Sequence, residues 1–523
     1  IVLINDTQVS VWSEKANLYE SNVESLSAEA WMNDDFEMML SITSEVKGDA
    51  SDGIKVVNES PLNDIVAGAF SDWRLSGGLE SRLALQLNLT DKSVRPRLEV
   101  HTEWQDVDLL INPGNLPVEA LYGELSYSSA KGFDSKDLFG SIWGQALQAQ
   151  VRQVWQDSDV PVLLPIQPGH YDAAYSSTEI AVETQIDMVD IKQWLDLDIL
   201  ALAKGQAAAE LLIKVPVGKA PTVIVETDLL GVSLDLPEPW RKSTKEPAVM
   251  RIEVPLGGES GVVTMALDDE LNLQVLLSGG DFDGLALGFA QQPKQLNSGT
   301  IYIDGHASLV DESQWQKFLN DYVYAPAAPV VNSIPAQETS AAQGATQAPE
   351  YAIFLDNLQA DTLQLYGQRL SDVTFSIQKE SGKTRIEAEA GWVGGELILT
   401  EDGDAGKLLI EHLDIEGLGQ LSFDSESGAS SLEIPDLDVV LADFSHGGQS
   451  MGQLEFTLRK KSELTQVDNI VGILAGLTLS AEQSGLMAWS SNGGEPNTRL
   501  EMRFGFEDLG ETLERLDYQN IIE

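Results

Sequence analysis

The chain contains no cysteine, and this absence excludes several kinds of chemistry at once. Its 523 residues can form no disulfide, no thiolate metal site and no cysteine nucleophile. The five histidines are scattered, without the paired spacing of a zinc site. We therefore expect no metal and no cofactor.

Basic residues and long hydrophobic runs are also scarce. The chain has 32 Lys and Arg against 83 Asp and Glu, a net charge of −51, so it repels a phosphate backbone and we expect no nucleic acid partner. The longest apolar run, Ile470 to Leu479, is about half of the ~20 residues that a membrane-spanning helix needs. We expect any signal or membrane anchor to lie outside these residues.

What the chain does contain is β-strand alternation along its whole length. In residues 384–392, Ile386 and Trp392 fall on one face, and Arg385 and Glu387 fall on the other. Glycine and Asn/Asp turn signals separate such stretches. The pattern predicts a mainly β fold, mostly antiparallel, whose apolar face is covered by another layer or by an apolar ligand.

Helix signals and one biased segment divide this pattern. An N-cap and proline predict a helix near 60–72. A V-D-x-x-Q-W motif that occurs twice predicts helices near 189–198 and 310–321. A further helix is expected near 507–517. Residues 324–349 are rich in Pro, Ala, Ser and Gln, which is typical of a linker or long exposed loop. We therefore predict three β segments, at 1–160, 161–323 and 350–523.

Three motifs resemble chemical sites but lie in the wrong context. Residues 446–452 contain G-x-S-x-G, but between two predicted strands, where a hairpin loop is expected instead of a nucleophile elbow. The acidic stretches 281–284 and 401–404 lack the later ligand of a calcium loop. We expect that the protein is not an enzyme.

A succession of strand-and-turn motifs gives the chain a family resemblance. The motifs lie at 61–65, 72–79, 107–117, 123–127, 138–140, 231–242, 391–396, 452–456 and 506–513. In this order they resemble the AsmA-like family of Gram-negative envelope proteins, which includes TamB. The likeness begins near residue 60 and continues to the end.

The resemblance implies a fold and a function. It implies an elongated, curled antiparallel β-sheet, a β-taco or repeating β-groove with a few short helices between repeats. It implies the periplasmic part of an inner-membrane-anchored protein, whose hydrophobic groove conducts phospholipids between the inner and outer membranes, with other envelope proteins as further partners. Acyl chains suit such a groove, since burying each CH₂ contributes about 0.8 kcal/mol.

Two alternatives stay open. The groove could hold strands of outer-membrane proteins, or the chain could be a structural or adhesin-type β protein. For each groove residue, plain core packing is the alternative to lipid contact. The residues predicted to bind lipid are Val100, Trp104, Leu109, Leu271, Leu273, Val275, Leu277, Val373, Phe375, Ile377, Ile386, Trp392, Leu421, Phe423, Val439, Leu441, Leu454, Phe456, Leu458, Leu500, Met502 and Phe504.

Overall fold

The structure is a computed structural model, and its residues group into two compact units. One comprises 1–235, 242–268 and 277–281, and the other comprises 236–241, 269–276 and 282–523. The residues that the structure describes are 1–5, 8–59, 70–91, 93–94, 96–112, 114–155, 176–195, 198–216, 220–256, 260–279, 281–323, 351–365, 367–400, 406–419, 436–461, 464–480, 482, 484–490, 497–508, 510 and 512–513.

Strands make up most of both units, which confirms the predicted mainly β fold class. The earlier strands are β1 (Val2–Asn5), β2 (Gln8–Ser13), β3 (Ala16–Leu18), β4 (Ser21–Met32), β5 (Met38–Asp49), β6 (Arg74–Asn88), β7 (Arg97–Ile111), β8 (Leu116–Ser128), β9 (Gly132–Ser135), β10 (Leu138–Ile142), β11 (Gln145–Trp155), β12 (Ser176–Asp187), β13 (Ala203–Pro216), β14 (Thr222–Thr227), β15 (Val232–Leu234), β16 (Met250–Pro255) and β17 (Ser260–Leu267). The later strands are β18 (Leu271–Ser278), β19 (Asp281–Phe289), β20 (Thr300–Asp311), β21 (Ala352–Leu365), β22 (Gln368–Glu380), β23 (Lys383–Ala390), β24 (Val393–Thr400), β25 (Gly406–Asp414), β26 (Leu437–His446), β27 (Gln449–Lys461), β28 (Leu464–Leu474), β29 (Leu477–Leu479), β30 (Gly485–Ser490), β31 (Asn497–Glu501) and β32 (Gly505–Phe506).

The helices are short and lie between strands. They are α1 (Ala50–Glu59), α2 (Met188–Leu195), α3 (Glu312–Phe318) and α4 (Ile415–Leu418), with a 3₁₀ turn at Asp198–Leu202 and a π turn at Leu319–Val323. Helices α2 and α3 lie where the V-D-x-x-Q-W motif predicts them. Residues 60–69 and most of 507–517 lie outside the described residues, as do the predicted segment boundary near 160 and the whole of the 324–349 segment.

The two copies of the motif nevertheless differ in their helix starts. Asp311 is the N-cap of α3 and accepts hydrogen bonds from the backbone N–H groups of Ser313 and Gln314. In the first copy the helix begins earlier, so that Asp190 lies within its first turn, and Asp187 accepts from the N–H of Val189 at 2.9 Å. The shared motif therefore specifies a helix at this point, but not the same cap.

The first unit is an antiparallel ladder. β4, β5, β6, β7 and β8 pair in chain order, β8 pairs with β10, and the ladder continues through β11, β12, β13, β14, β16 and β17. Sequential antiparallel strands need only tight turns between them, which agrees with the frequent glycine and Asn/Asp turn signals.

The second unit is mixed. β19 with β20, β20 with β21, and β25 with β26 pair in parallel, whereas β21 to β25 and β26 to β28 pair antiparallel. Alternation in the sequence does not predict the parallel pairs, because it gives the face of a side chain and not the direction of its strand. Parallel neighbours need a crossover, and α3 and α4 lie within two of these connections.

A bulge in β7 changes the phase of its alternation. The register of β7 against β8 shifts between Trp104 and Val107, where Asp106 adopts φ 53°. Facing it, Gly77 has φ 114°, and a Cβ there would lie 2.2 Å from the carbonyl oxygen of Asp106. Only glycine fits this approach. Because the bulge shifts the alternation by one residue, Trp104 and Leu109 lie on the same face, although one position is even and the other is odd.

Candidate functional site

A row of apolar side chains crosses the second unit from strand to strand. Residues that pair directly across neighbouring strands share one face of a sheet, so the register identifies the row without further assumption. We call it the second apolar row; its members, from β19 to β27, are Leu287, Ile303, Leu355, Ile377, Ile386, Leu397, Leu408, Val439 and Phe456.

Most of this row is incompletely covered. Every member except the buried Val439 is half-buried. The other face of β22 to β24 carries charge instead: Nε of Arg385 lies 2.8 Å from Oε1 of Glu396, and Glu387 is exposed. A continuous apolar stripe that folding leaves half-buried is a surface for an apolar ligand or partner.

The first unit has a corresponding row. The first apolar row, from β10 to β17, consists of Leu138, Ala149, Val182, Leu211, Val225, Ile252 and Met265. It is buried at its β10 end and half-buried from Val225 onward. On the opposite face, the adjacent pairings join Glu183, Glu210, Glu226 and Arg251. Strands β12, β13, β14 and β16 therefore each separate an apolar side from a charged side.

Two apolar cavities lie in the first unit. The outer cavity, of about 260 Å³, has a wall formed by the paired residues Leu83, Val100, Tyr127 and Phe133. The inner cavity, of about 90 Å³, is lined by members of the first apolar row, among them Leu211. The predicted residues Val100, Trp104 and Leu109 all line the outer cavity.

Helix α1 forms one side of the outer cavity and is tied to the sheet by a buried carboxylate. Ile54 and Val57 of α1 line the cavity. Asp52 is only 3% exposed and accepts hydrogen bonds from the Ser21 hydroxyl at 2.7 Å and the Glu20 N–H at 3.1 Å. The hydrogen bond from Ser21 holds the pKa of the Asp52 carboxyl below its usual value, although burial acts in the opposite direction.

Helix α1 and part of the second apolar row are not among the features predicted from the sequence. Residues 50–59 contain Gly53 and three β-branched residues, which give a weak helix signal. The row members Leu287, Ile303 and Leu355 were findable, because each lies in a stretch of alternating apolar residues.

The predicted residues occupy several environments. Half-buried positions are held by Leu273, Val275, Leu277, Phe375, Ile377, Ile386, Leu454, Phe456 and Leu458. Buried positions are held by Leu109, Leu271, Val373, Val439 and Leu441. Leu441 packs with Phe444, Met451 and Ala475 in a compact cluster. Contact with lipid stays a prediction for all of these residues.

Several predictions differ from the structure. The alternation at Leu500, Met502 and Phe504 predicts a strand, but β31 ends at Glu501, and Leu500 and Phe504 are 58% and 52% exposed. The pattern at 384–392 predicts Trp392 within a strand, but β23 ends at Ala390. Short alternating stretches do not specify where pairing stops. Leu421 and Phe423 lie outside the described residues.

Trp392 and Asn272 each have a local reason for their positions. Trp392 lies in the turn after β23, where its ring fills the space beside Gly417 of α4: a Cβ on that glycine would lie 2.4 Å from the ring. Period-2 alternation puts Asn272, the neighbour of Leu273 in β18, on the opposite face from Leu273 and predicts that it faces solvent, but it is 7% exposed. Its amide donates to the Gln291 carbonyl at 3.1 Å and accepts from Gln292 at 2.7 Å, so another segment covers this face.

The 231–242 motif, on which the resemblance partly depends, has a structural role. Lys242 is 6% exposed, and its ammonium donates to the carbonyls of Leu229, Val232 and Ser243 at 2.7, 2.8 and 3.2 Å. Burial lowers the pKa of Lys242 below its ordinary value. Within the other unit, Trp240 stacks on Phe289 with ring centroids 4.5 Å apart.

Of the three motifs set aside in the sequence, 446–452 and 281–284 lie in ordinary strands and turns, and 401–404 lies outside the described residues. Ser450 is the second residue of β27, just after the turn from β26, and its hydroxyl donates to Asp443 at 2.6 Å. Within the described ranges, no three His, Asp or Glu side chains come together as a metal site would require. In the same part of the chain, no helix combines the length and apolar character needed to cross a bilayer.

These features define a class of protein. A mainly β fold whose paired strands carry unbroken apolar rows on one face, with charges on the opposite face of several strands, is a β-sheet protein with an incompletely covered apolar face. The family model described as YhdP protein matches residues 1–523, and the chain belongs to the YhdP family. Among curated proteins, none matches it. Membership of this family points to a lipid-transport role in the cell envelope.

Proposed function

We propose that this chain binds and conducts phospholipids in the periplasm of a Gram-negative bacterium. The observation that carries the proposal is the second apolar row, which crosses from β19 to β27 without a polar residue. Acyl chains lie against the row, and headgroups remain in water. Each CH₂ taken from water contributes about 0.8 kcal/mol.

The length of the row suits a conduit better than a single-ligand pocket. Its eight pairings at about 4.8 Å per strand give a path on the order of 40 Å. The hydrocarbon core of a bilayer is ~30 Å for two leaflets, so one acyl chain spans roughly half of that. More than one lipid can therefore lie in line along this unit.

Charge supports an aqueous site of action. With a net charge of −51, the chain is repelled by a membrane surface of anionic headgroups. The attraction between protein and lipid must therefore come from apolar contact. We propose that the chain acts in the periplasm as part of an inner-membrane-anchored protein, reaching both membranes through parts outside these residues. No catalytic residue is needed, since moving a lipid breaks no covalent bond.

Mass spectrometry of material that copurifies from a Gram-negative periplasm tests the proposal. The chain should carry phospholipid in amounts comparable to the protein, and a matched Ile377→Asp chain should carry less. Bound fragments of outer-membrane proteins in place of lipid would favour the rival assembly role. A chain that carries neither phospholipid nor peptide would contradict the proposed function.

A further inference from the structure

The outer and inner cavities of the first unit meet at a cluster of aromatic rings. Both cavities are lined by Phe70, Trp73, Trp104 and Phe133, and we call these four residues the aromatic collar. Phe70 lies edge-on to Trp73 with ring centroids 4.9 Å apart, and edge-on to Phe133 at 5.6 Å. At these distances the rings are in contact, so the collar narrows the path between the two cavities.

The collar separates two different surroundings. On the outer side lie α1 and the wall of β6 to β9. On the inner side, Leu138, Ala149, Val182 and Leu211 line the cavity, and these residues begin the first apolar row. The collar residues line both cavities and so lie at the boundary between the outer cavity and that row.

One collar residue has an unsatisfied polar atom. Trp73 is 9% exposed, and its indole N–H has no hydrogen-bond partner in the structure as described. Buried tryptophan N–H groups usually have a partner, and an orphaned buried donor costs about 1–3 kcal/mol. The closed arrangement of the rings is thus less stable than an ordinary aromatic core, which lowers the cost of separating them.

We propose that the aromatic collar determines which hydrophobic molecules pass from the outer to the inner cavity. This inference rests on the proposed function. A flexible, unbranched acyl chain needs only small ring rotations to pass. A rigid, fused-ring lipid is wider and would require the four collar rings to separate together. The collar therefore admits single acyl chains and holds back polycyclic lipids.

Photocrosslinking on both sides of the collar tests this. A diazirine-bearing residue replaces Leu83 in the outer cavity or Leu211 in the inner cavity, and adducts are identified by mass spectrometry. In the otherwise unchanged chain, phospholipid should crosslink at both positions. A photoreactive sterol supplied to the purified protein should label Leu83 but label Leu211 at least about tenfold less, equivalent to ~1.4 kcal/mol.

Two collar variants and a matched control complete the test. Leu125→Trp adds bulk beside the collar, since Leu125 lines both cavities, and should reduce phospholipid adducts at Leu211 by about tenfold while leaving those at Leu83. Phe133→Ala should admit the sterol to Leu211. Phe139→Ala removes a ring that stacks on the exposed Tyr122, away from both cavities, and should change neither result. Circular dichroism and melting confirm that each variant folds.

The outcomes separate the two claims. Phospholipid adducts at both positions with no effect of Leu125→Trp, or with sterol at Leu211 in the unchanged collar, would overturn the collar inference and leave the proposed function standing. Absence of phospholipid at Leu83 and Leu211 alike would contradict the proposed function, and the collar inference with it.

Discussion

Ile377 of β22 and Ile386 of β23 pair directly across a hairpin, with both side chains on one face of the sheet. On the other face, the neighbouring pair is Gln378 and Arg385. Both isoleucines are half-buried, so this apolar contact is complete only when something else covers it. Side chains one residue apart in these strands therefore lie on different faces, one apolar and one polar. Single substitutions at neighbouring positions can test the two faces independently.

A charge placed on the apolar row should interrupt lipid binding without unfolding the protein. Because Ile377 is half-buried, Ile377→Asp should cost about 1–3 kcal/mol of unfolding free energy and reduce copurified phospholipid by about tenfold. Gln378→Asp introduces the same charge on the exposed, opposite face and should leave both quantities unchanged. Chemical denaturation and lipid mass spectrometry measure the two effects. Equal lipid content in the two variants would contradict the assignment of the second apolar row as the lipid-binding face.

Leu441 and Leu408 should respond differently to truncation. Leu441 is 8% exposed within a packed cluster, so Leu441→Ala should cost about 2–5 kcal/mol through the cavity that it leaves. Leu408 is half-buried in the second apolar row, so Leu408→Ala should cost about 1 kcal/mol. Urea denaturation of both variants measures this. A loss of unfolding free energy for Leu408→Ala as large as that for Leu441→Ala would show that the second apolar row is part of the packed core.

The tie between α1 and the sheet should matter for the stability of the first unit. Asp52→Asn removes the charge that accepts from Ser21 and Glu20, at an expected cost of about 1–3 kcal/mol at neutral pH. Asp34→Asn is the matched control, since it makes the same change at an exposed carboxylate of the first unit. An unchanged melting temperature for Asp52→Asn would show that α1 is held by other contacts.

The same carboxylate predicts a pH dependence. The pKa of Asp52 is lowered in the folded state, so its contribution is fully present above the unfolded value of about 3.9 and disappears as pH falls through the lower, folded value. The stability difference between the unchanged chain and Asp52→Asn should therefore be constant from pH 5 to 8 and shrink below about pH 4. A difference that instead grew on acidification would contradict this assignment.

Lys242 should be intolerant of an apolar replacement. Its ammonium satisfies three backbone carbonyls, and Lys242→Met would leave them without that donor at an expected cost of about 1–3 kcal/mol. Lys245→Met, at an exposed lysine three residues away, is the control and should be neutral. Thermal melting compares the two. Similar melting temperatures would show that water replaces the ammonium without loss.

The sequence predicts the local pattern well and long-range arrangement poorly. Alternation placed Ile377 and Ile386 on one apolar face, and helix signals located α2 and α3. The sequence pattern does not predict the parallel pairing of β25 with β26, since strand direction depends on the path of the connection. Nor could it show that Gln291 and Gln292 cover Asn272, because that contact joins segments about twenty residues apart.

In the candidate site, too, local periodicity predicts some residues and long-range structure decides others. Val100 and Trp104 alternate in phase, so their shared face follows from strand periodicity. Leu109 reaches the same cavity only through the bulge at Asp106, and the alternation of apolar residues contains no signal for that bulge. Helix α1 was missed because burial against β6, rather than helix propensity, stabilises it.

Photocrosslinking along the second apolar row shows directly whether phospholipids lie on it. A diazirine-bearing residue is placed in turn at Ile303, Ile386 and Leu408, which span the row, and at Glu387, the exposed neighbour of Ile386 on the other face. We expect phospholipid adducts at all three row positions in living cells and none at Glu387. Adducts at Glu387 equal to those at Ile386, or no phospholipid at any row position in a folded chain, would contradict it.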